Sequence, residues 1–220
     1  MVNIIMKHSS INNLHEIAKE VEILNKNIKI IAVSKTFGIN KILPLIQSGH
    51  HHFGENKVQE SINKWPQIIS EFKNIKLHMI GKLQTNKVKQ AVNLFHYIHS
   101  VDTFKLAKKI ASEQKKVKKN IKLFIQININ NEDQKTGIMI NELKDFYESL
   151  INDLKVNVIG LMCIPAVDSD TKEAFGLMKK LSNKIGTQEL SMGMSADYLD
   201  AAKNGSTFIR IGSKIFGERN

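Results

Sequence analysis

The candidate for covalent chemistry is Lys35, which follows Ile30, Ile31, Ala32, Val33 and Ser34. A run of β-branched residues bounded by polar ones reads as a fully buried strand of a parallel sheet. A lysine at the carboxyl end of such a strand either marks its exit into solvent or is a functional amine. In a partly desolvated site a lysine amine loses basicity and can condense with a carbonyl to a Schiff base. Further along, Ser191-Met192-Gly193-Met194-Ser195 and Arg210-Ile211-Gly212-Ser213 each combine a glycine, which allows close backbone approach, with serine hydroxyls and a following helical segment. One such turn is ordinary chain reversal. Two at adjacent strand ends, opposite a lysine, can hold a phosphate monoester.

The elements that would position these residues alternate regularly. Apolar residues Ile11, Leu14, Ile17, Ala18, Val21 and Leu24 recur at helical spacing, with Ser10 placed as a cap. Strands are then expected at 29–35, 51–54, 77–80, 97–101, 121–129, 156–163, 189–192 and 207–211. Helices are expected at 40–47, 58–72 (despite Pro66), 84–95, 103–117, 140–150, 172–185 and 196–203. About eight strands alternating with helices predict an α/β fold, a single (β/α)8 TIM-type barrel with an extra N-terminal helix. A doubly wound open sheet is the alternative. Short loops and only three prolines favour one domain over 1–220. In a barrel the working residues sit at the carboxyl ends of the strands, where Lys35, Glu55, Asn56, Gly81, Asp102, Asn128 and Asn130 fall, as do the two glycine-serine loops.

Composition narrows the function classes. The 220 residues carry 32 Lys and Arg against 21 Asp and Glu, a net charge of +11. The lysines are spread over nearly every expected helix, and only 6% of residues are aromatic, so a stacking nucleic-acid surface is not expected. The single cysteine, Cys163, excludes an internal disulfide framework and fits a reducing compartment. No segment has the apolar length of a signal peptide or a membrane span, so the expectation is a soluble, cytoplasmic protein. His50, His51 and His52, with Glu55, raise the question of a metal. Consecutive strand side chains point to opposite faces, so the three imidazoles cannot all converge on one ion. Walker A, HExxH and paired-cysteine spacings are absent from the sequence, and no serine sits in a nucleophile elbow.

A lysine, a phosphate cradle and an arginine at a neighbouring strand end together suggest pyridoxal phosphate. The chain resembles the pyridoxal phosphate homeostasis protein family along nearly all of its length. The motifs are Ala32-Val33-Ser34-Lys35, Phe53-Gly54-Glu55-Asn56, Ile80-Gly81 with Leu83-Gln84-Thr85-Asn86-Lys87, His99-Ser100-Val101-Asp102, Gly160-Leu161-Met162, Leu190 through Ser195, and Gly205-Ser206-Thr207 through Arg210-Ile211-Gly212 to Phe216-Gly217. That family is similar to the barrel domain of fold-type III alanine racemases. The resemblance implies a protein of cofactor homeostasis (storage, buffering or delivery), with pyridoxal 5'-phosphate bound as a Schiff base to Lys35 and without established turnover. It implies that Arg210 faces the pyridine nitrogen, that Ser195, Gly212 and Ser213 hold the phosphate with Ser191 and Met192 close by, and that Asn56 and Met162 line the ring. Lys57 and Lys82 depart from the family pattern, at the pocket rim.

The alternative is a pyridoxal phosphate-dependent amino-acid racemase. Two-base racemisation needs a second group on the opposite face, in those racemases a tyrosine from an additional domain. With the sequence ending at Asn220, and with Tyr97, Tyr147 and Tyr198 on a strand or within helices, no such group is expected. The expected partners are the cofactor and the apo-enzymes that receive it, with the protein as a monomer and no membrane or nucleic acid involved.

Overall fold

A computed structural model describes residues 8–130, 132 and 136–218. Eight strands, β1 (Lys29–Val33), β2 (His52–Glu55), β3 (Lys76–Met79), β4 (Tyr97–Val101), β5 (Lys122–Ile127), β6 (Asn157–Cys163), β7 (Glu189–Ser191) and β8 (Phe208–Ile211), pair in parallel and close as a barrel. β8 returns to β1 with Lys29 opposite Phe208 and Ile31 opposite Arg210, which decides between the barrel and the open sheet. The extra helix α1 (Ser9–Glu22) precedes β1. Ser10 lies inside its first turn rather than at the cap, its hydroxyl 2.8 Å from His8 Nδ1.

Helices α2 (Ile39–Gln47), α3 (Val58–Lys64), α4 (Pro66–Glu71), α5 (Val88–Leu94), α6 (Phe104–Lys116), α7 (Leu143–Glu148), α8 (Thr171–Ile185), α9 (Tyr198–Lys203) and α10 (Ser213–Phe216) complete the described chain. The helix expected over 58–72 is two helices, because Pro66 lacks the N–H an interior position would donate and instead starts α4. The segment 84–95 opens with a 3-10 turn, Thr85–Lys87, and 140–150 is a composite of a 3-10 turn, α7 and a π turn over Ser149–Asp153. Two helices start on side-chain caps: Thr103 Oγ1 accepts from the Leu106 N–H of α6, and Asp170 Oδ1 accepts from the Lys172 and Glu173 N–H of α8.

The main core lies between sheet and helices, built from outward strand residues such as Ala32, Phe53, Leu77, Ile98, Leu123, Leu161, Leu190 and Ile209. The barrel interior is different. A small apolar cluster of Ile31, Tyr97, Phe124, Met162 and Phe208 shares it with His52, His78, His99, Ser191 and Arg210. Barrel centres are ordinarily filled by branched aliphatic side chains. A polar series there costs desolvation unless its members bond to one another. Gly160 shows how tightly the wall closes: a Cβ there would sit 1.8 Å from the Glu189 carbonyl oxygen on the neighbouring strand.

Candidate functional site

Lys35 stands two residues beyond the end of β1, in a turn, and is half-buried. Both of its neighbours are anchored. Ser34 Oγ donates to Glu55 Oε1 at 2.7 Å, and the Thr36 N–H donates to Glu60 Oε1 at 2.7 Å. Lys64 Nζ ties the two carboxylates together, donating to Glu55 Oε1, Glu60 Oε1 and the Ser34 carbonyl, each at 3.0 Å. Trp65 Nε1 adds a further bond to Glu55 Oε1 at 3.0 Å. Thr36 is held at φ 68°, a left-handed conformation that a β-branched residue keeps only where its surroundings impose it. Glu55 is fully buried, and burial raises its pKa against the lowering effect of Lys64. The clamp behind the strand ends thus fixes the backbone that carries Lys35.

On β8, Arg210 is 4% exposed and enters the barrel. Its Nη1 donates to the Ser191 carbonyl at 2.6 Å and to Ser191 Oγ at 2.8 Å, while Nη2 donates to the Cys163 carbonyl at 2.9 Å. The guanidinium is held from behind by β6 and β7, and its Nε–H has no partner among the described residues. Asn56, one residue past β2, has a buried Oδ1 that also lacks a partner. Gly81 at the end of β3 lets this loop approach, since a Cβ there would come within 2.5 Å of the Asn56 carbonyl oxygen.

The glycine-serine loops lie together. Ser213 Oγ donates to Ser195 Oγ at 3.1 Å on the exposed carboxyl side, next to Gly212. Gly193 adopts φ 93° and abuts α9, where a Cβ would meet Ala201 Cβ at 2.5 Å. Met162 is fully buried among the inner apolar residues Ile31, Tyr97, Phe124 and Phe208. Ser191 bonds Arg210 and His99, away from the Ser195–Ser213 pair. Met192 packs its side chain outward into the main core, and its N–H donates to the Phe208 carbonyl oxygen on the neighbouring strand β8. Lys57 and Lys82 are exposed.

Sequence reasoning weighed the histidine run and overlooked two imidazoles deeper in the barrel. His50 Nε2 lies 2.9 Å from the His52 carbonyl oxygen, His51 is exposed, and His52 turns inward. His52 Nδ1 is 2.9 Å from His78 Nε2, His78 Nδ1 is 2.9 Å from His99 Nε2, and His99 Nδ1 is 2.8 Å from Ser191 Oγ. Burial holds His52 down to about 4 and drives His78 and His99 well below the usual imidazole range. Among the described residues no group of His, Cys, Asp and Glu is arranged to hold a metal ion, and no helix is long and apolar enough to cross a membrane.

Lys35, the Arg210 guanidinium and two serine hydroxyls therefore lie on or just past the carboxyl ends of β1, β7 and β8. The chain as a whole is similar to known proteins. Residues 11–220 match the family described as alanine racemase, N-terminal domain. The pyridoxal phosphate homeostasis protein of Haemophilus influenzae is 37% identical over 216 residues, covering 93% of this chain and 91% of that protein. The one from Pasteurella multocida is 34% identical over 218 residues, covering 94% of each. The structure of PipY from Synechococcus elongatus with PLP bound superposes with a TM-score of 0.80 at 31% identity, covering 91% of this chain and 100% of that one.

Proposed function

This chain belongs to the pyridoxal phosphate homeostasis protein family, and from that premise we propose that it binds pyridoxal 5'-phosphate as a Schiff base on Lys35 and holds it for delivery to other proteins. The observation that carries this reading is the guanidinium of Arg210, fixed from behind with its Nε–H unpartnered. The groups present fit the cofactor. A buried Asn56 Oδ1 and the Arg210 Nε–H are polar atoms awaiting partners, and the Ser195 and Ser213 hydroxyls beside Gly212 offer donors to a phosphate. Bound pyridoxal phosphate supplies an aldehyde carbon and a pyridine ring that can draw electrons from an attached amine.

The chain's own residues set how far that chemistry goes. A guanidinium is protonated at every ordinary pH and only donates, so Arg210 would keep the ring nitrogen an acceptor without a proton of its own. Such a ring withdraws electrons weakly. The three tyrosines supply no opposite-face acid: Tyr97 stacks on His78 inside the barrel with centroids 4.2 Å apart, Tyr198 has its hydroxyl bonded to Glu20 and Lys214, and Tyr147 packs against the main core. Binding without rapid proton exchange is the behaviour of a carrier rather than a racemase.

The same reading makes apo-enzymes that use the cofactor its recipients, with the protein working as a cytoplasmic monomer. Loading the purified protein with pyridoxal phosphate and mixing it with an apo-enzyme tests this. A visible absorption band that decays as the recipient gains activity supports the carrier. Racemisation of amino acids at about one turnover per second or faster, the low end for enzymes, contradicts it.

A further inference from the structure

The barrel interior holds an unbroken series Arg210–Ser191–His99–His78–His52, with successive contacts of 2.8, 2.8, 2.9 and 2.9 Å. Its members come from β8, β7, β4, β3 and β2, so no local turn explains it. The rings are held by stacking: His78 on Tyr97 at 4.2 Å and 14°, His99 on Phe124 at 4.2 Å and 19°, with Phe208 edge-on or tilted to all three imidazoles. His78, His99 and Ser191 are fully buried, so their polar atoms need partners inside the protein.

Counting protons gives the series a direction. Arg210 can only donate, so Ser191 Oγ accepts from it, and the serine hydrogen must find an acceptor of its own. The partner that remains for it is His99 Nδ1. A neutral imidazole has one N–H and one lone pair, so His99 must carry its proton on Nε2 and donate to His78 Nδ1. His78 then donates from Nε2 to His52 Nδ1, which leaves the His52 proton on Nε2 at the end of the barrel where the strands begin. The reverse arrangement would strand the buried serine hydrogen without an acceptor.

We propose that His52, His78, His99 and Ser191 form a one-way hydrogen-bond chain that locks Arg210 as a donor facing the ring nitrogen of the cofactor, with Ser191 and His99 as its positioning residues. The proposal rests on the reading of Arg210 given above, and it deepens that reading by naming what fixes the guanidinium. Burial, which keeps all three imidazoles from protonating, supports it: a second proton on any one ring would set two donors face to face.

Side-chain nitrogen NMR on labelled protein, free of cofactor and near neutral pH, reads the chain directly. All three histidines are expected as the neutral Nε2–H form, and an Nδ1–H form or an imidazolium at His78 or His99 overturns the proposal. Ser191→Ala removes the link that sets the direction. It should therefore mix the two neutral forms at His78 and His52, which Ser191 does not touch, and unchanged spectra at both would show that the direction is not set from Arg210. With pyridoxal phosphate added, Ser191→Ala should bind about tenfold more weakly, the loss expected for a hydrogen bond to a charged group, and shift the absorption band. Ser191→Thr, which keeps the hydroxyl, should restore both. Equal affinity and an unshifted band in Ser191→Ala would refute the link to the cofactor. If the unaltered protein binds no pyridoxal phosphate, the functional reading fails, while the NMR results still decide whether the chain exists.

Discussion

Mild acid should destabilise this protein, because five histidines are kept neutral by burial. His50, His52 and His96 are each held down to about 4, and His78 and His99 lie well below the ordinary value of 6.5. Folded values below the unfolded one mean that the unfolded chain binds more protons through the window between them. Stability is therefore full above about 6.5 and is lost as the pH falls toward the folded values. Going from about pH 7 to about pH 5 costs about 2 kcal/mol for each well-buried group folded near 4, so about 4 kcal/mol for His50 and His52, and the more exposed His96 adds less because solvent screens it. His78 and His99 add to the loss. Glu55 and Asp102, whose pKa values burial raises, oppose it and recover part of it. Against a usual stability of about 5 to 15 kcal/mol, the remainder is a large share. Urea unfolding followed by far-ultraviolet circular dichroism should show the midpoint falling steadily over this range. A midpoint that holds or rises at the acid end would mean that these imidazoles are not neutral in the fold.

Two substitutions probe the frame and the site separately. Gly160→Ala drives a methyl group into the Glu189 carbonyl 1.8 Å away, so it should destabilise by about 3 kcal/mol or more, and an unchanged melting temperature would contradict the tight β6–β7 approach. Arg210→Gln should weaken pyridoxal phosphate binding about tenfold or more, since it removes a charge-assisted hydrogen bond, and should move the absorption band. Unchanged binding with an unchanged spectrum would mean that the proposed contact to the ring does not exist.

What the sequence made legible follows from how local each signal is. The eight apolar runs and the helices between them are contiguous, and the observed strands fall within about two residues of the expected ones, as boundary reasoning allows. The position of Lys35, Asn56 and the two glycine-serine loops just past strand ends was readable because each directly follows a contiguous apolar run. The split at Trp65 was in principle readable from Pro66, whose missing N–H favours a helix start over a helix interior. Met192 shows the limit of adjacency: it neighbours Ser191 in sequence, yet the two-residue alternation of a strand sends its side chain to the other face. The histidine series was hidden for a different reason. Its members lie on separate strands and meet only through the register that pairs β2 with β3 and β3 with β4. The available signal was a histidine at an inward position in each of three short strands. The Glu55–Lys64–Glu60 clamp likewise depends on α3 folding back over the strand ends.

Whether Lys35 carries pyridoxal phosphate is decided by borohydride reduction of the loaded protein followed by peptide mapping. The pyridoxyl group is expected on Lys35, together with loss of the visible absorption band in Lys35→Ala. Recovery of the label mainly on Lys57 or Lys82, or a Lys35→Ala protein that keeps the band, would contradict it.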